Sequence, residues 1–485
     1  PGFDRLADEG MKFTDAHSVA SVCVPSRIAI MTGRYPWRVK GFGESGPWGF
    51  LAPRMAKDHF TIGRMLQSAG YETGYVGKWH LGTLMTTSDG KTQGLHNVDY
   101  GKPLLVGPND YGFDEAFILP GSLDMYPYVF AKNRQWQGPV TKQRGWSAFN
   151  RIGPTAEDFE DDQVLKAFNT EAEAFLDRSA KAAKPFFLYL ALTSPHTPTS
   201  PSPDFAGKSK IGIYGDFVME TDDCVLRVLN KLDQLGLTED TLVIATSDHG
   251  PAPYAGKRKK ATHGQLRELE EDGHYASGIY RGSKFSVYEG ANRVPLVVRW
   301  PNKIKAGSQC DRLVGLNDMM ATFAEVAGAE LTSQQAPDSV SLLALLENPQ
   351  AAPGRETMIL QDTHHFIVRD GSWKLALCPG SGSHIDWGNT PIAQEAWASA
   401  VASIGRAPKP EDLRQAPFLQ LFDLSKDIGE TRNLAAEHPE RVAGMIALLE
   451  KAITNGRTTP GETLLNDFKA VRFLPKKPQP VRPKE

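Results

Sequence analysis

Ser21-Val22-Cys23-Val24-Pro25-Ser26-Arg27-Ile28-Ala29-Ile30-Met31-Thr32-Gly33-Arg34 is the stretch whose reading decides the fold. A cysteine stands two residues before a proline, an apolar run compatible with a helix follows, and Gly33 ends that run. Proline is tolerated at the start of a helix, and glycine suits the position just past its end. The pattern predicts a short helix with Cys23 at its mouth, where unpaired N–H groups and the helix dipole favour negative charge. Two readings follow: a buried cysteine at an ordinary helix start, or a modified or low-pKa thiol beside an anion site. Cys-x-Pro alone favours the first.

Working outward, three strand candidates end in chemically capable residues. Tyr71–Val76 runs into Gly77-Lys78-Trp79-His80. The apolar run Pro185–Leu192 leads to Ser194-Pro195-His196, and Thr241–Thr246 leads to Asp248-His249-Gly250. Continuous apolar runs fit strands buried on both faces of a parallel sheet. Val294–Trp300 is a further such strand. Helical periodicity over 157–180, 214–235 and 313–326, with a short helix at 61–69, alternates with these strands. The class is therefore α/β with a mainly parallel central sheet flanked by helices. In open α/β sheets ligands bind beyond the carboxyl ends of the strands. Lys78, His80, His196, Asp248 and His249 are thus expected to converge with Cys23. Taken singly, each has an ordinary reading: a solvated lysine, hydrogen-bonded structural histidines, an aspartate capping a helix. Lys284, in Gly282-Ser283-Lys284-Phe285, reads alone as a surface lysine.

The chain has 485 residues, 40% hydrophobic and 23% charged, with net charge −3. These values describe a folded globular protein, exclude wholesale nucleic-acid binding, and allow roughly two to four domains. No apolar run reaches the ~18 residues of a membrane span. Cys23, Cys224, Cys310 and Cys378 lack metal-ligand spacing; Cys224 reads as core, and a Cys310–Cys378 disulfide is left open. Residues 1–16 read as helix and turn. The Gly-, Pro- and aromatic-rich stretch 84–156 reads as a substrate-facing insertion. A polar, Pro-rich segment near 335–355 suggests a boundary between a catalytic domain, 1–335, and a C-terminal subdomain, 336–485. In the latter, Phe366–Arg369 and Trp373–Leu377 suggest a hairpin across Asp370-Gly371, with a strand at 419–424 and a helix at 439–453. That is a small antiparallel sheet with a covering helix. The Pro/Lys-rich tail from Leu474 reads as disordered or loosely packed. The basic run Lys257-Arg258-Lys259-Lys260 reads as a solvated loop, with a polyanion contact as the alternative.

The longer string changes the reading of Cys23. Cys23-x-Pro25-Ser26-Arg27 followed by Met31-Thr32-Gly33-Arg34 resembles the signature of the type I sulfatases. The segment Leu421-Phe422-Asp423-Leu424 with Asp427-Ile428-Gly429-Glu430-Thr431-Arg432-Asn433-Leu434 resembles their C-terminal subdomain. The resemblance implies an alkaline-phosphatase-like fold and a Cys23 oxidised to formylglycine by the formylglycine-generating enzyme. It implies that Arg27 steadies the aldehyde hydrate, that Lys78 and Lys284 bind sulfate oxygens, and that His80 is acid and base toward the formylglycine hydroxyl. His196 would bind sulfate and protonate the leaving oxygen. Asp248 and His249 would ligate one Ca2+, although many relatives carry Asn at the position of His249, and calcium prefers oxygen. Pro1-Gly2-Phe3-Asp4-Arg5-Leu6 resembles a segment that in the family follows a first strand bearing an aspartate pair. That pair is expected upstream of Pro1, the sequence reading as an N-terminal truncation.

The implied chemistry accounts for the residue types. A sulfate ester is anionic, so attack on sulfur needs cations around it. The hydrated aldehyde offers one hydroxyl to attack and a second whose deprotonation expels sulfate, an exit a serine ester lacks. The expected substrate is a sulfated carbohydrate or an aryl sulfate, and the expected location periplasmic or secreted. A phosphoesterase of the same superfamily and a degenerate glycan-binding relative are the alternatives.

Overall fold

A computed structural model describes residues 1–145, 150–262, 264–382 and 417–468. The tail from Leu474 lies outside the described residues. Helix α1 (Gly2–Asp8) packs on the long helix over 213–234, and the N–H groups of Gly2 and Phe3 donate to the Asp222 carboxylate at 2.9 and 2.7 Å. The helix and turn expected over 1–16 stop at Glu9. Strand β1 (Met11–Phe13) follows, because Gly10 lets the chain pass where a Cβ would stand 2.2 Å from the Val298 carbonyl oxygen.

Next come β2 (Ala16–His17), α2 (Cys23–Thr32), α3 (Ile62–Ser68) and β3 (Glu72–Lys78). The stretch expected as an irregular insertion over 84–156 contributes strands instead. They are β4 (Glu115–Leu119), β5 (Ala131–Lys132), β6 (Gln135–Trp136) and the hairpin β7 (Val140–Arg144) with β8 (Gly153–Ala156). Glu115-Ala-Phe-Ile-Leu119 is a short apolar run that surrounding Gly and Pro residues obscure, yet it is buried beside β3. The chain continues through α4 (Val164–Ser179), β9 (Phe186–Ala191), α5 (Ile213–Gln234), β10 (Val243–Thr246), α6 (Gln265–Glu271), α7 (Glu289–Asn292), β11 (Leu296–Arg299), β12 (Ser308–Cys310), β13 (Val314–Gly315), α8 (Met319–Ala327) and α9 (Leu343–Glu347).

One sheet runs β6-β5-β4-β3-β9, with β3 parallel to both β4 and β9. A second runs β10-β11-β1-β12, in which β1 and β12 are parallel but β11 is antiparallel to β10 and β1. The fold is α/β, as expected, with a mixed rather than uniformly parallel order. The reason lies in the connection. Just beyond the carboxyl end of β10, Gly250 N–H donates to the Ala291 carbonyl at 2.8 Å, so the chain has returned to that end when β11 starts, and β11 runs back. Among the described residues β9 pairs only with β3, and β10 only with β11. Their apolar side chains, Phe186–Leu190 and Val243–Ala245, stay half-buried. Phe186, Leu188 and Val243 rest on one cluster of Phe175, Leu176 and Leu232 from α4 and α5, so both open edges lie over one helical floor.

The last sheet is antiparallel, in the order β14 (Thr357–Gln361), β15 (Phe366–Asp370), β16 (Trp373–Leu377), β17 (Leu419–Asp423), and α10 (Pro439–Asn455) covers it. Its core of Val368, Leu375, Leu421, Met445 and Leu449 joins Ala29 and Tyr35, so the sheet packs behind α2. Ser21 N–H donates to the Gln361 carbonyl and Gln361 N–H to the Val19 carbonyl, both at 3.0 Å, tying the approach to Cys23 onto β14.

The Pro-rich stretch after 335 is pinned at Asp338. Its fully buried carboxylate accepts from Arg38 Nε at 2.8 Å, from Tyr35 N–H at 2.9 Å and from Thr458 Oγ1 at 3.0 Å, and its own N–H donates to the Gly33 carbonyl at 3.2 Å. Asp338→Ala leaves the Arg38 guanidinium buried and unpaired, an expected loss of about 3–5 kcal/mol of stability. Urea unfolding of the two proteins measures it, and a loss below about 1 kcal/mol contradicts this account.

Candidate active site

Helix α2 begins at Cys23 itself. Val22 before it is extended, no side chain caps the helix, and Gly33 closes it at φ +61°. Arg27 lies one turn on and reaches back: its Nε donates to Asp248 Oδ2 at 2.9 Å and its Nη1 to the Lys78 carbonyl at 2.8 Å. One side chain thereby joins α2 to the ends of β3 and β10. Ser18 Oγ adds a second tie, donating to the Asp248 carbonyl at 2.6 Å.

The strand ends deliver the remaining groups. Cys23 Sγ is 3.0 Å from His249 Nε2 and 3.6 Å from each of Lys78 Nζ and Lys284 Nζ. His80, buried, interacts electrostatically with Cys23 from a backbone at φ +52°. Lys284 Nζ also lies 3.2 Å from His196 Nε2 and donates to Tyr254 Oη at 3.0 Å. All eight residues singled out in the sequence, Cys23, Arg27, Lys78, His80, His196, Asp248, His249 and Lys284, meet in this cluster.

Tyr254 and Asp124 were not anticipated. Asp124 is buried, with Oδ1 3.8 Å from His196 Nδ1 and Oδ2 accepting from Arg151 Nη1 at 2.9 Å. Both residues sit in loops without periodicity, so no sequence signal marked them.

A family model described as Sulfatase matches residues 1–329. The chain belongs to the sulfatase family. It is 32% identical to an N-acetylgalactosamine-6-O-sulfatase of Bacteroides thetaiotaomicron, over 94% of this chain and 88% of that protein. It is 31% identical to an arylsulfatase of Hemicentrotus pulcherrimus, over 76% of this chain and 61% of that one. A solved sulfatase structure, from a core genetic locus for metabolism of multiple glycosaminoglycans in Bacteroides thetaiotaomicron, superposes with TM-score 0.76 at 28% identity, covering 93% of both chains. The chain is thus a sulfuric ester hydrolase with an alkaline-phosphatase-like fold, and its family implies a formylglycine at the cysteine position and a metal ion.

The electrostatics of this sulfatase centre on position 23. Burial pushes the Cys23 thiol pKa up, but Lys284, Lys78 and His249 more than offset it and hold the thiol well below its ordinary range. Burial likewise opposes the Asp248 carboxylate, yet His249 and Arg27 hold its pKa at about 2. Burial, with Lys284 beside it, pushes His196 down to about 4, so the ring is neutral near pH 7. Its Nδ1 lies 2.7 Å from the Thr197 carbonyl, which fixes the proton there and leaves Nε2 facing Lys284 as an acceptor. Burial lowers His80 also, and its Nδ1 is buried without a hydrogen-bond partner among the described residues. Lys284 is raised despite burial, because it faces Cys23 and Tyr254.

The donor set for a cation is partial. Ligand atoms of Cys23, Asp248 and His249 lie within 4.8 Å of one another. His249 Nδ1 is held 2.8 Å from the Gly250 carbonyl, which turns Nε2 inward toward Cys23 Sγ and Asp248 Oδ1. Three such donors fall short of the six to eight oxygens calcium takes. A second cluster, Asp15, His17 and Glu289, is filled instead by cations of the protein, Arg369, Arg293 and Lys374. The basic run is ion-paired: Lys257 with Asp272, Arg258 with Glu268 and Lys259 with Asp161. Cys310 and Cys378 are both free thiols, so they form no disulfide.

In unconverted sulfatase, Cys23 is expected to titrate well below an ordinary thiol, read by the pH dependence of its alkylation in peptide mass spectrometry. Lys284→Met should raise that pKa by about 1 unit or more. A Cys23 that alkylates only above about pH 9 refutes the charge arrangement.

Proposed function

We propose that this sulfatase hydrolyses a sulfate ester on a carbohydrate, an aryl sulfate being the small-molecule alternative, with Cys23 converted to formylglycine by the formylglycine-generating enzyme. The observation that carries the proposal is the pair of lysines, Lys78 and Lys284, each 3.6 Å from Cys23 Sγ, with His80, His196 and His249 completing the ring. The names of the relatives, an N-acetylgalactosamine-6-O-sulfatase and a structure from a glycosaminoglycan locus, support a sulfated sugar.

Formylglycine, when present, supplies a hydrate nucleophile and a route for expelling sulfate. Lys78 and Lys284 bind the sulfate oxygens and neutralise the charge that develops on them. Arg27 holds Asp248 and the end of β3 in register with position 23. His80 moves the proton at that position. His196 enters neutral; an anion replacing the contact with Lys284 Nζ raises its pKa, and Nε2 then carries a proton to the leaving oxygen. Asp124 lies behind His196 and sustains that positive charge.

Calcium is the proposed ion, held by Asp248, His249, the oxygen at position 23 and an aspartate pair upstream of Pro1; when bound, it adds positive charge against the sulfate. The open edges of β9 and β10 support a strand from that upstream segment. Both strands point their carboxyl ends at Cys23, so a parallel strand between them would end there too. Residues 1–335 form the proposed catalytic domain and 336–485 the C-terminal subdomain. No helix among the described residues is long and apolar enough to cross a membrane, and a periplasmic or secreted location is the proposed one.

The test begins with peptide mass spectrometry across Cys23 after expression with the modifying enzyme. Formylglycine is expected, with release of sulfate from 6-sulfated N-acetylgalactosamine or from nitrophenyl sulfate. Lys78→Ala and Lys284→Ala should each lower kcat/KM by about 100-fold or more. An unmodified Cys23 in a host that converts a control sulfatase, or a converted protein that releases no sulfate, overturns the proposal.

A further inference from the structure

Lys284 sits on a loop that the C-terminal subdomain grips at both ends. Gly290 N–H donates to the Arg281 carbonyl at 2.7 Å, closing the base of the loop. Arg281 Nη1 donates to the Glu430 carbonyl at 2.6 Å, while the guanidinium stacks 3.8 Å from the Tyr288 ring centroid. At the other end Glu289 N–H donates to Glu430 Oε2, also at 2.6 Å. One residue from the segment after β17 therefore takes a bond from each side of the loop. Lys284 N–H donates to the Pro251 carbonyl at 2.8 Å, so what the loop ends do is passed to the Asp248–Pro251 turn as well.

This grip is charged and dry. Lys374 Nζ on β16 lies 3.0 Å from Glu289 Oε1 and 2.8 Å from Glu430 Oε1, and all three side chains are fully buried. Glu289 is further held by His17 Nε2 at 3.0 Å, Arg293 Nη1 at 3.3 Å and Arg369 Nη1 at 3.4 Å. Asp15 faces Arg369 at 3.2 Å and Arg293 at 3.4 Å from behind. Glu430 and Phe285 both carry positive φ, +54° and +78°, conformations that non-glycine residues keep only where their surroundings enforce them.

We propose that Glu430 is a positioning residue for the sulfate-binding lysine, setting the place of Lys284 through Arg281 and Glu289, and that its ionisation tightens or loosens that hold. The proposal rests on the sulfatase reading of Lys284 above. Burial raises the Glu430 pKa; Lys374 pulls it down and Glu289 pushes it up, leaving it at about 7. Burial opposes Glu289 too, but Lys374, His17 and Arg369 keep it well below the usual carboxylate range, so Glu430 is the carboxylate that takes a proton near neutrality. Between the ordinary value of 4.5 and about 7, the folded protein holds a proton the unfolded chain has released, so this group's contribution to stability falls as pH rises through that window. Above it the anion draws Lys374 and the Glu289 N–H inward.

Inorganic sulfate binding to the full-length protein reads the position of Lys284 without turnover. By calorimetry, wild-type sulfate affinity is expected to rise about fivefold from pH 6 to pH 8. Glu430→Gln keeps an acceptor for the Glu289 N–H but has no charge to titrate, and should flatten that rise. Glu430→Ala should weaken sulfate binding about tenfold at pH 8. In the converted enzyme the same substitution should raise KM more than it lowers kcat. If the alanine variant fails to fold, the pH profile of the glutamine variant decides. Wild-type affinity and pH dependence in the folded Glu430 variants, whatever their melting temperatures, overturn the positioning role alone. A wild-type protein that binds sulfate as expected but hydrolyses no ester overturns the sulfatase reading and leaves the positioning role standing; one that binds no sulfate overturns both.

Discussion

The constraint on which the rest of the molecule depends is the crowding of cations around one atom. Lys78 and Lys284, both almost fully buried, stand 3.6 Å from Cys23 Sγ, and the Arg27 guanidinium bridges the end of β3 to Asp248 beside them. Like charges in a dry site repel strongly. The site tolerates them because anionic partners accompany them: Asp248 beside Arg27, Asp124 within the field of both lysines, and the Cys23 thiol that the lysines hold well below its ordinary range. A sulfate ester arriving at Cys23 would complete the neutralisation. The same arrangement that is costly in the empty protein is the one that stabilises charge on sulfate oxygens.

Holding such a site needs several independent anchors rather than one scaffold. Lys78, His196 and Asp248 lie at or just beyond the carboxyl ends of β3, β9 and β10. Cys23 and Arg27 come from α2, and the four-stranded C-terminal sheet supports that helix from behind. Lys284 comes from a loop with no strand beneath it, and the end of that loop is held by buried ionic contacts through Glu289, Lys374 and Glu430. Side chains are fixed best where the backbone is fixed first, and where the backbone is a loop, buried ion pairs substitute.

The site was largely legible in the sequence because its residues follow apolar runs directly: His196 stands only five residues after Phe187-Leu-Tyr-Leu-Ala191. Cys23-x-Pro25-Ser26-Arg27 added a spacing no ordinary helix start requires. The fold was legible where runs were long, as in α4 and α5, and less so where they were short. Glu115–Leu119 hid among glycines and prolines, and Met11–Phe13 was too brief to show a period. The direction of β11 depends on where residues 247–295 travel, which no local pattern records. Asp124 and Tyr254 are single polar residues in loops, placed by tertiary packing alone.

Cys23 is 3% exposed, and its enclosure has a time order. The residues just before it are hydrogen-bonded to Gln361, which lies far downstream in the chain. During synthesis the Cys23 segment leaves the ribosome on the order of tens of seconds before that partner strand exists. Any large reagent that must reach the thiol has this interval, in which the segment is still an open peptide. Once β14 fixes the backbone at Val19 and Ser21 and the strand ends close on Sγ, the thiol is buried, and a chain that folds unaltered stays so until it unfolds again. The C-terminal sheet thus acts as a clock for whatever chemistry Cys23 undergoes.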